Sequence, residues 1–261
     1  MGAVVAKSKQ HVVISDLHIP YHDRAVVRML LRFLADQRPH GIHILGDLVD
    51  FYPISRFDRD PTRATGLQVE LDAARKFLDT LRTTCPHAKI ILSEGNHEYR
   101  LRRYLWRQAP ELSALRCLEL GKLLGLAELG IDYRAHNQPY RLASLLLTHG
   151  QLVRKWSGYT ARGHFEKYGC CVLHGHSHRL ASFYHRELGD TFGAWENGCL
   201  CVLDPEYAIA PDWQHGWSVV WTTGDVCFHV EQVIVIKGRF NYHGCLFGRR
   251  DNNKTNVEQL A

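Results

Sequence analysis

Several absences narrow the possibilities for this chain. No stretch of 18 or more apolar residues occurs, so no membrane-spanning helix is expected. Met1–Gln10 lacks the apolar run of a secretory signal, and the expectation is a cytoplasmic protein without a membrane partner. Eight cysteines are present, yet none forms a CxxC pair, which argues against a zinc ribbon or a thioredoxin-like site. Several lie in apolar runs such as CCVL (170–173) and CLCVL (199–203), where a reduced cysteine acts as a small buried hydrophobe. Free thiols are therefore expected. Internal repeats, low-complexity tracts and Pro/Gly linkers are also missing. One domain over 1–247 is expected, with a flexible tail over 248–261, where GRRDNNKTNVEQLA has little to bury.

What remains is an ordinary globular composition, 45% apolar and 23% charged, which excludes disordered, fibrous and collagen-like chains. The net charge of +5 is too small for a basic nucleic-acid-binding tail. One count departs from the ordinary: the 261 residues include 17 histidines.

The first half alternates strand and helix. HVVISD (11–16), GIHILGD (41–47) and AKIILSEGN (88–96) read as strands, with helices over Tyr21–Gln37 and 67–82 between them. That alternation implies βαβ units and a partly parallel sheet. A helical pattern covers 98–127. Strands then dominate at 140–148, 170–175, 179–187, 191–203, 217–223 and 226–236, with a hairpin turn at Thr222-Thr223-Gly224-Asp225.

Ligands of open α/β sheets gather beyond the carboxyl ends of the strands, and those ends carry a pattern here. The first ends in Asp16-Leu17-His18 and the second in Gly46-Asp47, with Asp50 three residues on. The third ends in Gly95-Asn96-His97-Glu98, and two later strands end in His149 and in His176 and His178. Carboxylate mixed with imidazole suits Mn, Fe, Zn or Ni, whereas Mg and Ca favour oxygen alone. Two ions about 3.5–4 Å apart need a bridging ligand, which a carboxylate can supply. Glycines beside these residues allow close backbone approach. His174, inside its strand, reads as packed or supporting.

In this pattern the chain resembles the calcineurin-like metallophosphoesterases. Their blocks D-x-H, G-D-x-x-D/H, G-N-H-D/E, H and G-H-x-H stand here, in order, as Asp16-Leu17-His18, GDLVD (46–50), GNHE (95–98), His149 and GHSH (175–178). The resemblance implies an α/β fold, the family's four-layer α/β/β/α sandwich of two mixed sheets with helices outside and the metal site at strand C-terminal ends. It implies that Asp16, His18 and His178 hold one divalent ion and that Asn96, His149 and His176 hold the other. Asp47 would bridge, and Mn is placed ahead of Fe, Zn and Ni. His97 would bind no metal but protonate the departing oxygen, with Asp50 orienting it and helping to keep it charged. A metal-bridged hydroxide would attack phosphorus in line.

The substrate is less constrained. The protein phosphatases of this family follow the second block with arginine and precede the third with arginine; here Phe51 and Glu94 stand at those places. Arg100 and Arg103, with Arg107, share one helix face three residues after His97, either to hold substrate phosphates or as a solvated face. Arg56, Arg59 and Arg63 add charge in the loop after the second strand, and Arg154, Lys155, Arg162 and Lys167 between His149 and GHSH. Trp195, Trp213, Trp217 and Tyr207 are either core or a stacking surface for bases. A phosphodiesterase acting on DNA, RNA or nucleotides is the expectation. The alternatives are a phosphomonoesterase, protein phosphatases included, and a non-catalytic metal-stabilised scaffold.

Overall fold

Val12 and Ile14 pack with the helices of the first half, while Val13 between them packs against a second sheet. The two-residue period of an extended strand produces this division. The computed structural model describes residues 7–63, with Arg63 in backbone only, 65–205 and 209–248. Tyr207 and the 249–261 segment lie outside the described residues.

The elements run β1 (Lys9–Ile14), α1 (Arg24–Gln37), β2 (Gly41–Ile44), α2 (Leu67–Thr84), β3 (Lys89–Ser93), α3 (Glu98–Gln108), α4 (Leu120–Leu123) and β4 (Ile131–Arg134). There follow β5 (Tyr140–Leu142), β6 (Leu145–Thr148), α5 (Tyr159–Tyr168), β7 (Val172–His174), β8 (Leu180–Arg186) and β9 (Thr191–Asn197). The last are β10 (Gly216–Thr223), β11 (Cys227–Ile234), β12 (Arg239–Tyr242) and β13 (Cys245–Gly248). One sheet has the order β11-β10-β1-β2-β3-β4, and the other β5-β6-β7-β9-β8. In the first, β1 to β4 are parallel and β10 and β11 antiparallel; in the second, β6, β7 and β9 are parallel between antiparallel β5 and β8.

Three apolar layers hold these sheets. Val26, Leu30 and Phe33 of α1 and Leu71, Leu78 and Leu81 of α2 cover the outer face of the first sheet. Burying each such side chain contributes about 1.5–3 kcal/mol, so packing rather than helix propensity holds α1 in place. Val13, Leu45 and Val220 meet Leu145, Leu147, Leu173 and Trp195 between the sheets. Leu146, Val172 and Ala194 face the other way, toward Ala161 and Phe165 of α5. The result is the expected α/β/β/α layering of two mixed sheets. A polar seam crosses the middle layer, where His11 Nδ1 lies 3.2 Å from His43 Nε2 and His43 Nδ1 lies 2.7 Å from Tyr140 Oη.

Boundaries differ from the periodicity in a few places. Asp23 caps α1 by accepting from the Ala25 and Val26 amides at 2.8 and 3.0 Å, so the helix starts at Arg24, not Tyr21. The helical stretch 98–127 breaks at Ala109, because Pro110 disfavours helix in its predecessor; two 3-10 turns precede α4. Residues 140–148 form two antiparallel strands around Ala143, whose φ is 53°. The strand expected over 191–203 ends at Asn197. β4 and the β12–β13 hairpin, whose Phe240 and Tyr242 complete the outer core, were not anticipated. Among the described residues no helix is long and apolar enough to cross a membrane.

Candidate metal centre

Parallel pairing brings the carboxyl ends of β1, β2 and β3 to one edge. The loops after β6 and β7 close on the same edge. The His176 amide donates to both Asp16 carboxylate oxygens at 3.1 and 3.0 Å, and His149 Nδ1 donates to the Leu45 carbonyl at 2.8 Å. That last bond leaves His149 Nε2 free to act as a ligand.

Of the four groups of potential ligand atoms among the described residues, His18 with Asp50 and His97 is one and His178 with Cys199 and Cys201 another; the remaining two share Asp47. Asp16, His18, Asp47 and His178 form one set, and Asp47, His149 and His176 the other, with the atoms of each within 4.8 Å of one another. Asn96 adjoins the second set, its Oδ1 2.9 Å from His149 Nε2. His178 Nε2 lies 3.0 Å from His18 Nε2 and 3.3 Å from Asp16 Oδ1, while Asp47 Oδ2 is 3.4 Å from His149 Nε2 and 3.7 Å from His18 Nε2. All seven residues expected to bind metal therefore come together.

The chemistry of the set fits cations. Asp16 and Asp47 are buried, and among the described residues neither has a Lys or Arg within ion-pair distance; their ion-pair partners are imidazoles only. Buried carboxylates in that position call for positive charge. Burial opposes ionisation of Asp47, yet His149, His97 and His18 hold its carboxyl well below the usual range. Burial alone would lower His149, but Asp47 and then Asp16 push it up to about 9. The backbone is also constrained: Asp16, His18, Asp47, His176 and His178 all have φ between 50° and 67°. Non-glycine residues in this left-handed region cost about 1–3 kcal/mol each and persist where the surroundings over-determine them. Gly46 and Gly95 permit the closeness, since a Cβ on Gly46 would stand 2.6 Å from the Gly95 Cα and 2.9 Å from His149 Nδ1.

His97 stands beside the shared carboxylate, its Nε2 3.8 Å from Asp47 Oδ2. Its Nδ1 is 2.9 Å from both the carbonyl oxygen and Oδ1 of Asp50, and Asp50 Oδ1 also lies 3.0 Å from His18 Nδ1. The other ring nitrogen, Nε2, accepts from Arg100 Nη2 at 2.8 Å. Asp50 is thus in hydrogen-bond reach of the His97 ring. Burial, with His18 and Arg100, lowers the His97 pKa against the opposing pull of Asp47 and Asp50.

Two supporting residues had no role assigned from the sequence, although Glu98 closes the GNHE block. Buried Glu98 takes the amides of Asp47, Val49 and Gly95. Cys201 Sγ lies 3.8 Å from His178 Nδ1, behind a candidate ligand, in a C-x-C arrangement that cysteine spacing alone does not flag. Of the tryptophans, Trp195 and Trp217 are core, while the Trp213 ring lies 4.2 Å from that of His178. His174 belongs to neither set; it stacks on His164 of α5 at 3.9 Å. Arg100 and Arg103 line a cavity of about 710 Å³ whose inner end is formed by Asn96, His97 and His176. Arg102 turns away to Glu94 at 3.0 Å.

A two-sheet α/β sandwich with buried carboxylates and imidazoles at its strand ends is a metallophosphoesterase-type fold. The chain belongs to the calcineurin-like phosphoesterase family, whose model matches residues 11–185, from β1 into β8. It is similar to the Gene 54 protein of Mycobacterium phage L5, 28% identical over 255 residues and covering 91% of this chain and 98% of that one. The Gene 54 protein of Mycobacterium phage D29 is 27% identical over 260 residues, with the same coverage. Similar solved structures include Vps29 complexed with zinc from Entamoeba histolytica (13% identity, 89% of this chain and 96% of that one, TM-score 0.48). The Pseudomonas putida nuclease MPE is another (16% identity, 85% and 86%, TM-score 0.39).

Proposed function

We propose that this chain is a dinuclear-metal-dependent phosphodiesterase acting on nucleic acid or nucleotides. The supporting observation is the sharing of Asp47 between two ligand sets, with His97 beside it at the inner end of an arginine-lined cavity. In this reading Asp16, His18 and His178 hold one ion, Asn96, His149 and His176 the other, and Asp47 both. Mn is placed first, with Fe, Zn or Ni as alternatives. Such a pair supplies Lewis acidity at the phosphoryl oxygens and acidifies a water toward neutral pH.

The chain's own residues then orient the ester and move one proton. Asp50 holds the Nδ1–H side of His97, so in this reading the ring takes up a second proton from solvent on Nε2 once Arg100 leaves that atom, and gives it to the departing oxygen. Arg100 occupies that atom in the structure. A phosphate oxygen that draws the guanidinium away frees Nε2 and is itself gripped, so substrate binding and proton placement are linked. Phe51 and Glu94, where the family's protein phosphatases carry arginines, together with the arginines of the cavity, favour a diester over a phosphoprotein. In this reading the protein works in a bacterial host's cytoplasm, which its similarity to two phage proteins supports.

The test is a substrate panel with Mn: mono- and bis-p-nitrophenyl phosphate, cyclic nucleotides, single- and double-stranded DNA, and RNA. Bis-p-nitrophenyl phosphate should turn over faster than the mono ester, and His97→Ala should abolish most turnover. No hydrolysis of any diester by the metal-loaded protein overturns the reading.

A further inference from the structure

The helix that follows His97 has an unusual burial pattern. Glu98 is the only fully buried residue in the eleven of α3. Leu101 packs against the core, and the rest of the helix is half-buried or exposed. Arg100, Arg103, Tyr104 and Arg107 recur at i, i+3, i+4 and i+7, so they share one face, and all four line the cavity beside the metal centre. The opposite wall comes from the loop after β2, with Arg56 and Phe57. Among the described residues no carboxylate lines this cavity.

The arginines differ in what they are doing. Arg100 is engaged by His97 and Asp50. Arg56 lies over the Phe57 ring, 5.0 Å from its centroid. Among the described residues Arg103 and Arg107 make no ion pair, whereas Arg102, Arg162 and Arg179 on other faces each have a carboxylate. At 1.5 Å per residue, Arg107 lies roughly 10 Å further along the helix than Arg100. The positive charge therefore runs away from the reacting centre as a track, beyond the reach of one phosphate. Phe57 is 63% exposed and Tyr104 43%, both on the lining. An exposed ring beside a phosphate track, even one that an arginine covers on one side as Arg56 does Phe57, suits an unpaired base, because the faces of paired bases are already stacked within a duplex.

We propose that this groove is a binding track for single-stranded polynucleotide. Arg103 and Arg107 hold phosphates flanking the scissile one, and Phe57 and Tyr104 stack the intervening bases. The proposal rests on the phosphodiesterase reading and narrows it, since a mononucleotide or cyclic nucleotide would leave the outer half of the track unused.

Binding separates the two. Fluorescence anisotropy is measured on Mn-loaded His97→Ala protein, which suppresses cleavage, with labelled oligo-dT of two, four and eight nucleotides, oligo-U of eight, and a hairpin duplex. Affinity should rise at least tenfold from two to eight nucleotides of dT or U, and the single strand should exceed the duplex at least fivefold. Adding Arg103→Ala and Arg107→Ala should flatten the log–log salt dependence by about 1.4, at roughly 0.7 per phosphate contact on a single strand. The paired lysine substitutions should preserve that slope, which excludes a folding artefact. Phe57→Ala should weaken binding at least fivefold. Length-independent binding, preference for duplex or an unchanged salt slope overturns the track. If wild-type protein hydrolyses no diester, the catalytic reading fails while these measurements still decide the track. Hydrolysis with length-independent binding removes the track alone.

Discussion

Glu98 Oε2 accepts the backbone N–H of Asp47 at 2.9 Å, so the last residue of one motif holds the central residue of another. The same oxygen takes the Gly95 amide at 2.8 Å, and Oε1 takes the Val49 amide at 2.9 Å. One buried carboxylate thereby ties the loop after β2 to the loop after β3, the two segments that present Asp47, Asn96 and His97. Glu98→Gln keeps the shape but turns an acceptor into a donor facing an amide donor. A buried unsatisfied group costs about 1–3 kcal/mol, which should appear as a lower denaturant midpoint. Metal affinity, read by titration with Mn, should fall at least tenfold, as expected when a support behind the ligands is lost. Unchanged affinity would show that the loops hold their geometry without Glu98.

His97 divides binding from turnover. It lies beside the two ligand sets, and both its nitrogens are already engaged, by Asp50 and by Arg100. His97→Gln should keep the wild-type metal content and lose about 10²–10⁴-fold in kcat on bis-p-nitrophenyl phosphate, the range for a missing general acid. Metal analysis beside the kinetics checks this. Parallel loss of metal and activity would make His97 a ligand and sink its role as acid.

The metal centre was legible in the sequence because its parts are contiguous blocks at strand ends. Position at the end of an apolar run singled out Asp16, Asp47, His149 and His178 among many polar residues, and the structure brings them together. The four layers came with the family resemblance; in the structure, strands such as 11–14 are apolar on both faces and are covered twice. What stayed hidden is set by distance along the chain or by local exceptions. Glu98 acts through backbone amides, which carry no sequence label. The β12–β13 hairpin turns at His243-Gly244, with φ of 49° and 81°, where the recognisable signal is Asn-Gly or Asp-Gly. Its docking depends on pairs such as Gln10 with Tyr242, 232 residues apart.

The polar seam between the sheets predicts an acid limb in stability. Burial, aided by His11 and Lys89, pushes His43 down to about 3, and burial, with His40 and Lys9, lowers His11 to about 4. Both pKa values are depressed relative to the unfolded chain. Stability is therefore intact above pH 6.5 and is lost as the unfolded state gains protons between pH 6.5 and the folded values. For His43 alone the loss by pH 5 is about 2 kcal/mol. Metal-site histidines titrate over the same interval, so the informative quantity is a difference. His43→Gln, which cannot protonate, should show a shallower fall in urea-unfolding free energy from pH 7 to 5 than wild type, both in chelator. Parallel slopes would mean the seam is not held neutral.

Asp47 is the one residue common to both ligand sets, and this makes the number of bound ions the sharpest test of the centre. If each set holds an ion, wild-type protein reconstituted with Mn should bind two per chain. His178→Ala removes a member of one set only and should leave about one, because Asp47, His149, His176 and Asn96 remain in place. Asp47→Asn should reduce both sites, since the amide has a single acceptor oxygen and no charge with which to bridge two cations. Mn content after gel filtration, with unfolding midpoints in chelator to confirm that each variant folds, distinguishes these cases. One ion in the wild type would make this a single-metal site, and two ions retained by Asp47→Asn would show that the two sites do not depend on a shared carboxylate.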